Sequence, residues 1–304
     1  MKQPPPCRPT FRDKRELMPY SEATFQTDDR LTLYQRGWLP QRECRAIVVL
    51  VHGLNEHCGR YEELALELNR QGWAVWTFDL RGHGRSDGPR VFISSMDQHQ
   101  ADVAAFLDRV VPRETGQPLF LLGHSMGGLI VGGLAIAGRS DVRGYILSAP
   151  AFAVRDNVFP LLRRLAPLVG RWFPRLRLVK LSPRRLSSDP RVVAEFQSDP
   201  LVFHGRLPAR TAAEILRAGQ SVMSRADQIT APLLVLHGTD DRTADLEASR
   251  RFCDRVGPNQ ATLKVYEGAY HDLPREPMRK QVMADVVEWI AARIGSHERK
   301  DQSP

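Results

Sequence analysis

The chain has 304 residues, 42% of them hydrophobic and 26% charged, which fits one large α/β domain or two smaller ones in an ordinary soluble protein. No apolar run reaches the roughly 18 residues that span a bilayer, and the proline-rich, charged N-terminus lacks the apolar stretch of a secretory signal. A cytosolic chain with a loose arm over residues 1–20 is therefore expected, and the net charge of +8 is the remaining oddity.

That charge is local. Residues 155–191 carry ten Lys/Arg against two Asp/Glu, which equals the whole excess. No nucleic-acid recognition motif accompanies it, so no nucleic-acid partner is expected. The four cysteines, Cys7, Cys44, Cys58 and Cys253, form no C-x-x-C pair and no metal-like spacing with histidine. They read as isolated reduced thiols, and no metal is expected.

Residues 21–36 alternate loosely and predict an antiparallel hairpin. A rhythm of apolar runs and helical patterns follows. Ala46–Val51 predicts a buried strand, 61–71 a helix stopped by Gly72, 74–78 a strand, and 96–111 a helix stopped by Pro112. Then come a strand over 119–122, a small-residue helix over Met126–Ala137 ended by Gly138, and a strand over 144–148. Residues 151–226 break the rhythm, with no clear strand and much Pro, Arg and Leu. It resumes with a strand at 233–236, a helix at 245–256, a strand at 262–266 and a helix at 276–294. Strands alternating with helices imply an α/β fold, a mostly parallel sheet covered on both faces. The interruption is too long for a loop in a compact domain. The core is thus expected over 21–150 and 227–295, with an inserted helical cap over 151–226 and a tail over 296–304.

Gly123-His124-Ser125-Met126-Gly127 fits G-x-S-x-G, with a predicted strand before it and a helix after it. A strand-to-helix turn this sharp exposes its central residue at a helix N-terminus, where developing negative charge is favoured. A serine hydroxyl is a poor nucleophile and needs a base. In a sheet of this kind the acid and then the base follow the serine on later loops. His271 follows the last strand closely, whereas His297 sits in the charged tail, so His271 is the expected base. The acid belongs after the strand at 233–236, where Asp240 and Asp241 are adjacent; spacing does not choose between them. Met126 N–H and Leu54 N–H, the latter in His52-Gly53-Leu54-Asn55-Glu56-His57, are the expected oxyanion donors. His52 and His57 lack a third ligand at sensible spacing. The turn Asp79-Leu80-Arg81-Gly82-His83-Gly84-Arg85-Ser86 is expected to be structural.

Six collinear blocks resemble the monoacylglycerol lipase branch of the α/β-hydrolases: VHGLNEHCGRYEELA (51–65), FDLRGHGRSDG (78–88), FLLGHSMGG (120–128), SDPL (198–201), LVLHGTDDR (234–242) and KVYEGAYH (264–271). They span roughly residues 45–295. The resemblance implies an α/β-hydrolase fold, hydrolysis of a monoacylglycerol or similar lipid ester without a cofactor, and a lipid-facing cap. The family pattern G-[ST]-x-D-R selects Asp241 as the acid. Glu56 and Arg60 match residues near the glycerol end of the family's pocket, which marks them, with Phe196, as substrate-binding candidates. Two positions depart from animal-type members: Phe196 stands where they carry tyrosine, and Pro274 where they carry histidine.

Within the insert, Leu161, Leu165, Leu168, Val169 and Trp172 fall at helical spacing among arginines. A basic amphipathic helix with Trp and Phe suits peripheral contact with an anionic membrane surface. The blander alternative is a cap helix packed on the core with solvated arginines. The rival activities are a lysophospholipase or broad carboxylesterase; a peptidase and a non-catalytic receptor on the same fold are less favoured. The sequence does not set an oligomeric state.

Overall fold

The computed structural model describes residues 20–109, 116–154 and 160–298. In chain order the strands and helices begin with β1 (Tyr20–Gln26), β2 (Thr32–Trp38), β3 (Ala46–Val51), α1 (Glu62–Arg70), β4 (Trp73–Phe78), α2 (Met96–Arg109), β5 (Leu119–His124), α3 (Met126–Ala137) and β6 (Val142–Ser148). The segment that follows holds α4 (Pro160–Trp172), β7 (Arg177–Val179), α5 (Pro190–Ser198), β8 (Leu207–Pro208) and α6 (Ala209–Ser224). The chain closes with β9 (Leu233–Gly238), α7 (Leu246–Val256), β10 (Ala261–Tyr266) and α8 (Arg279–Glu298).

Eight strands form one sheet in the order β1-β2-β4-β3-β5-β6-β9-β10. The hairpin β1–β2 and the β2–β4 pair are antiparallel; all other neighbours are parallel. Each central strand is buried on both faces, which is why it reads as a continuous apolar run. Period-2 alternation divides its residues between two cores. Ile47, Val49 and Val51 face a core shared with α2, α3, α6 and α7. Ala46, Val48 and Leu50 face a core shared with α1 and α8. Parallel strands bring the C-terminal ends of β3, β5, β9 and β10 to one edge, so the loops after them meet there.

Four expectations shift. The segment over 151–226 is not strand-free, since β7 and β8 pair antiparallel. Its last helix does not stand apart from the sheet domain: Ile215, Ala218 and Val222 share the core of α3 and β6. The final helix starts at Arg279 rather than 276, because Leu273–Arg275 forms a 3₁₀ turn and Glu276, before Pro277, is extended at ψ 160°. That helix also runs into the expected tail, to Glu298. The expected N-terminal arm lies outside the described residues, apart from Tyr20.

Candidate active site

Ser125 stands at the N-cap of α3 with φ 54° and ψ −113°, a strained region for a residue with a side chain. Its neighbours hold it there. Its N–H donates to Ser148 O at 2.9 Å, and its carbonyl accepts from Ala151 N at 3.1 Å. The flanking glycines are required by close approach. A Cβ on Gly123 would lie 2.2 Å from Gly127 O, and one on Gly127 would lie 2.2 Å from Val51 O.

The loops after β9 and β10 bring the other two groups. His271 Nε2 lies 2.9 Å from Ser125 Oγ, and His271 Nδ1 lies 2.7 Å from Asp241 Oδ2. All three residues are buried. The other carboxylate oxygen of Asp241 accepts the backbone N–H groups of Thr243 at 2.7 Å and Ala244 at 3.0 Å. Those bonds fix the rotation of the carboxylate and aim Oδ2 at the imidazole. Asp240 is exposed, so the structure separates the two adjacent aspartates that spacing left open. Burial favours the neutral acid at Asp241, but the charges of His271 and His237 outweigh it and hold the carboxyl well below the usual range. Burial likewise opposes charge on His271, and the Asp241 carboxylate outweighs it, raising the imidazole above its ordinary value. The His124 ring, 4.9 Å from that of His271, is pushed the other way, below the ordinary histidine value, by burial.

Leu54 and Met126 both line the cavity at Ser125, and no described residue accepts a hydrogen bond from either amide. Their loop is braced from behind. Glu56 accepts Gly53 N–H at 2.6 Å, the Tyr61 hydroxyl at 2.6 Å and Arg60 Nε at 3.1 Å. The other side of the Arg60 guanidinium reaches Asp272 at 3.0 Å, beside His271. Asp79, in the glycine-rich turn after β4, accepts Cys58 N–H at 2.7 Å and Arg85 N–H at 2.8 Å. His52 is taken up by Gly53 O and Leu80 N–H, and His57 donates to Asp199 at 2.8 Å. Among the described residues no three His, Cys, Asp or Glu side chains gather as a metal site.

The cavity has a volume of about 450 Å³. Ala166, Val169, Leu178, Leu207, Ile215 and Leu216 make an apolar wall, all from the segment between β6 and β9. Asn55, Glu56, Gln197, His204 and Asp272 give it polar groups. Glu56 and Phe196 line it as expected positions would; Arg60 lies one layer back, its guanidinium 4.7 Å over the Phe196 ring and paired to Glu56 and Asp272. Two buried carboxylates hold Arg60 behind Phe196.

A family model described as serine aminopeptidase, S33, matches residues 42–278. A monoacylglycerol lipase from Mycolicibacterium smegmatis is 38% identical, over 90% of this chain and 98% of its own length. The solved structure of a monoacylglycerol lipase from Paleococcus ferrophilus is 32% identical, with a TM-score of 0.78 over 86% of this chain and 99% of that one. That of a monoglyceride lipase from Saccharomyces cerevisiae, with a substrate analogue, is 25% identical with a TM-score of 0.80, over 89% and 94%.

The chain belongs to the monoacylglycerol lipase family. Its fold is the α/β-hydrolase fold, with the helical segment inserted after β6. Against the family background the two departures acquire a setting. Phe196 takes the Arg60 guanidinium over its ring, and Pro274 is buried in the 3₁₀ turn Leu273–Arg275, directly after Asp272, which pairs with Arg60. Sequence reasoning passed over Asp272, Asp199, His237 and Glu276. Asp272 adjoins His271 and Asp199 lies in the SDPL block, so both were within view. His237 Nε2 sits 3.3 Å from Asp241 Oδ2, and Glu276 accepts Ser188 N–H at 2.8 Å and Tyr270 N–H at 3.1 Å. Glu276 has no local mark because Ser188 comes from a distant loop, whereas His237 lies only four residues before Asp241 and was within view.

Proposed function

We propose that the chain hydrolyses monoacylglycerols to fatty acid and glycerol through an acyl-enzyme on Ser125. The observation that carries this reading is the Ser125–His271–Asp241 hydrogen-bond chain opening on a cavity with an apolar wall and polar groups at Asn55, Gln197 and His204. Ser125 Oγ attacks the ester carbonyl carbon while His271 Nε2 takes the hydroxyl proton. Asp241 keeps the imidazole in the tautomer that accepts at Nε2 and stabilises the imidazolium. The Leu54 and Met126 N–H groups receive the oxyanion. As the tetrahedral species collapses, His271 gives its proton to the departing glycerol oxygen. Water then attacks the acyl carbonyl, His271 takes the water's proton, and the fatty acid leaves as Ser125 regains its hydrogen. No cofactor enters these steps.

An aminopeptidase needs a spare carboxylate for the substrate amine. Glu56 and Asp272, the acidic residues at the cavity, are already paired with Arg60. The deciding experiment is a panel of monoacylglycerols, diacylglycerol, lysophospholipid and a short ester, with Ser125→Ala as control. Faster turnover of lysophospholipid than of monoacylglycerol refutes the substrate assignment, and activity retained by Ser125→Ala refutes the mechanism.

The segment over 151–226 acts in this reading as a cap that meets the membrane. Leu168 is 56% exposed, Phe173 63% and Trp172 71%, next to Arg171 and Arg175. Ala166 and Val169, on the other side of α4, line the cavity, so the helix touches both lipid surface and substrate tunnel. The side chain of Leu161 lies outside the described residues. No described helix is long and apolar enough to cross a membrane. Apolar side chains ringed by arginines suit peripheral insertion. Liposome flotation should show stronger binding to anionic than to neutral vesicles, and equal binding removes the electrostatic part.

A further inference from the structure

Asn55 has a φ of 69°, in the left-handed region where a side chain is normally unwelcome. Asparagine tolerates that region better than most residues, and in a surface turn tolerance would be explanation enough. Asn55 is not in a surface turn: it is only 6% exposed and lines the cavity. Its Oδ1 is sealed from solvent and meets no donor, and no described residue hydrogen-bonds its Nδ2. A glycine would make the same turn without strain and would bury no unpaired amide. The chain thus carries two costs at one position, strain and an unpaired polar group, on the wall of the cavity.

Its place in the cavity is set by its neighbours. Leu54, one residue earlier, supplies a proposed oxyanion donor, so Asn55 follows it directly in the oxyanion loop and lines the same cavity. The Asn55 carbonyl accepts Phe203 N–H at 2.8 Å, which puts the residue beside Phe196, Gln197 and His204 rather than along the aliphatic wall. The nearby carboxylates are already engaged: Glu56 by Gly53, Tyr61 and Arg60, and Asp272 by Arg60. With Oδ1 sealed, the capacity the Asn55 amide has left is the donor Nδ2, which a hydroxyl oxygen can accept from.

We infer that Asn55 is a specificity-determining residue that hydrogen-bonds the free hydroxyls of a polyol leaving group, beside the oxyanion donor Leu54. The inference rests on the monoacylglycerol reading and adds which residue reads the alcohol. A substrate hydroxyl oxygen accepts from the Asn55 Nδ2 that no described residue engages. An ester of a simple alkanol with the same acyl chain has nothing to offer it.

The test compares kcat/KM for a monoacylglycerol and for the ethyl ester of the same fatty acid, in the same detergent, with the full-length enzyme. Asn55→Gly relieves the backbone strain and keeps the turn; Asn55→Asp keeps both the turn and the side-chain shape but removes the donor. In each variant the monoacylglycerol-to-ethyl-ester ratio should fall about five- to tenfold, the worth of one or two neutral hydrogen bonds. Thermal melts confirm that each variant is folded. A ratio unchanged in both variants overturns the inference, even if both activities fall together, because that pattern reports only a disturbed oxyanion loop. A wild-type enzyme with no preference for monoacylglycerol overturns the substrate reading itself, and shows it before any variant is made.

Discussion

Asp241→Asn tests how the hydrogen bonds of Asp241, the proposed acid, decide the state of His271, the proposed base. In the native chain Asp241 Oδ1 accepts two backbone N–H groups, from Thr243 and Ala244, and Oδ2 faces His271 Nδ1. An asparagine must offer an oxygen to those two donors, since its NH₂ group cannot accept. The NH₂ is then turned toward His271 and donates to Nδ1. The imidazole must carry its proton on Nε2, where it donates to Ser125 Oγ instead of accepting from it. The base is lost without any change of shape, at a cost of about a thousand- to ten-thousand-fold in kcat, or about 4–5.5 kcal/mol of barrier. The assay is steady-state hydrolysis of monoacylglycerol, paired with the rate of Ser125 labelling by an active-site phosphonate. Asp240→Asn, at an exposed side chain, should change kcat by less than about twofold. Activity of Asp241→Asn above a tenth of native would refute the reasoning, as would an equal loss in Asp240→Asn.

Three further outcomes follow from the same geometry. The acid limb of kcat/KM should lie above the ordinary histidine value, because His271 must be neutral to act and burial's opposition to its charge is outweighed by Asp241; a limb below pH 6 contradicts this. Gly127→Ala forces a methyl to within 2.2 Å of Val51 O, a backbone atom that cannot swing away, and should cost about 3 kcal/mol, read as a urea-midpoint shift with unchanged slope. Leu168→Glu with Trp172→Glu places charge on the exposed apolar face of α4 and should lower the ratio of activity on vesicle-borne to detergent-dispersed substrate about tenfold; an unchanged ratio argues for a solvated cap.

The central sheet was legible because β3 to β6 are buried on both faces and each is punctuated by glycine or proline. The ends of β3 and α3 coincide with their sequence patterns, Ala46–Val51 and Met126–Ala137. Ser125, His271 and the loop of Leu54 were legible for a related reason: each lies directly after a strand whose position the apolar runs reveal. The insert was not. The pair β7–β8 involves only five residues, three of them exposed or half-exposed, and leaves no periodic trace. The ion pair of Arg60 with Asp272 joins residues 212 positions apart, and no local pattern announces a bond of that reach. Asn55 was read only as part of an oxyanion loop, since a positive φ at a non-glycine residue has no signature in sequence.

The apolar wall of the cavity, from Ala166 to Leu216, is one unbroken stretch of chain, while the groups proposed to react sit on turns that precede and follow it. Chemistry and fit are therefore written in separate paragraphs of the gene. A replacement of that stretch exchanges the mould for the fatty chain and leaves the reacting groups where they were. Its boundaries are demanding at one end only, because α6 is seated in the sheet's own core whereas α4 leans outward. A graft cut before α6 leaves Ile215 and Leu216 of the wall behind; one cut after it moves the whole wall but must also rebuild the floor on which the serine's helix rests.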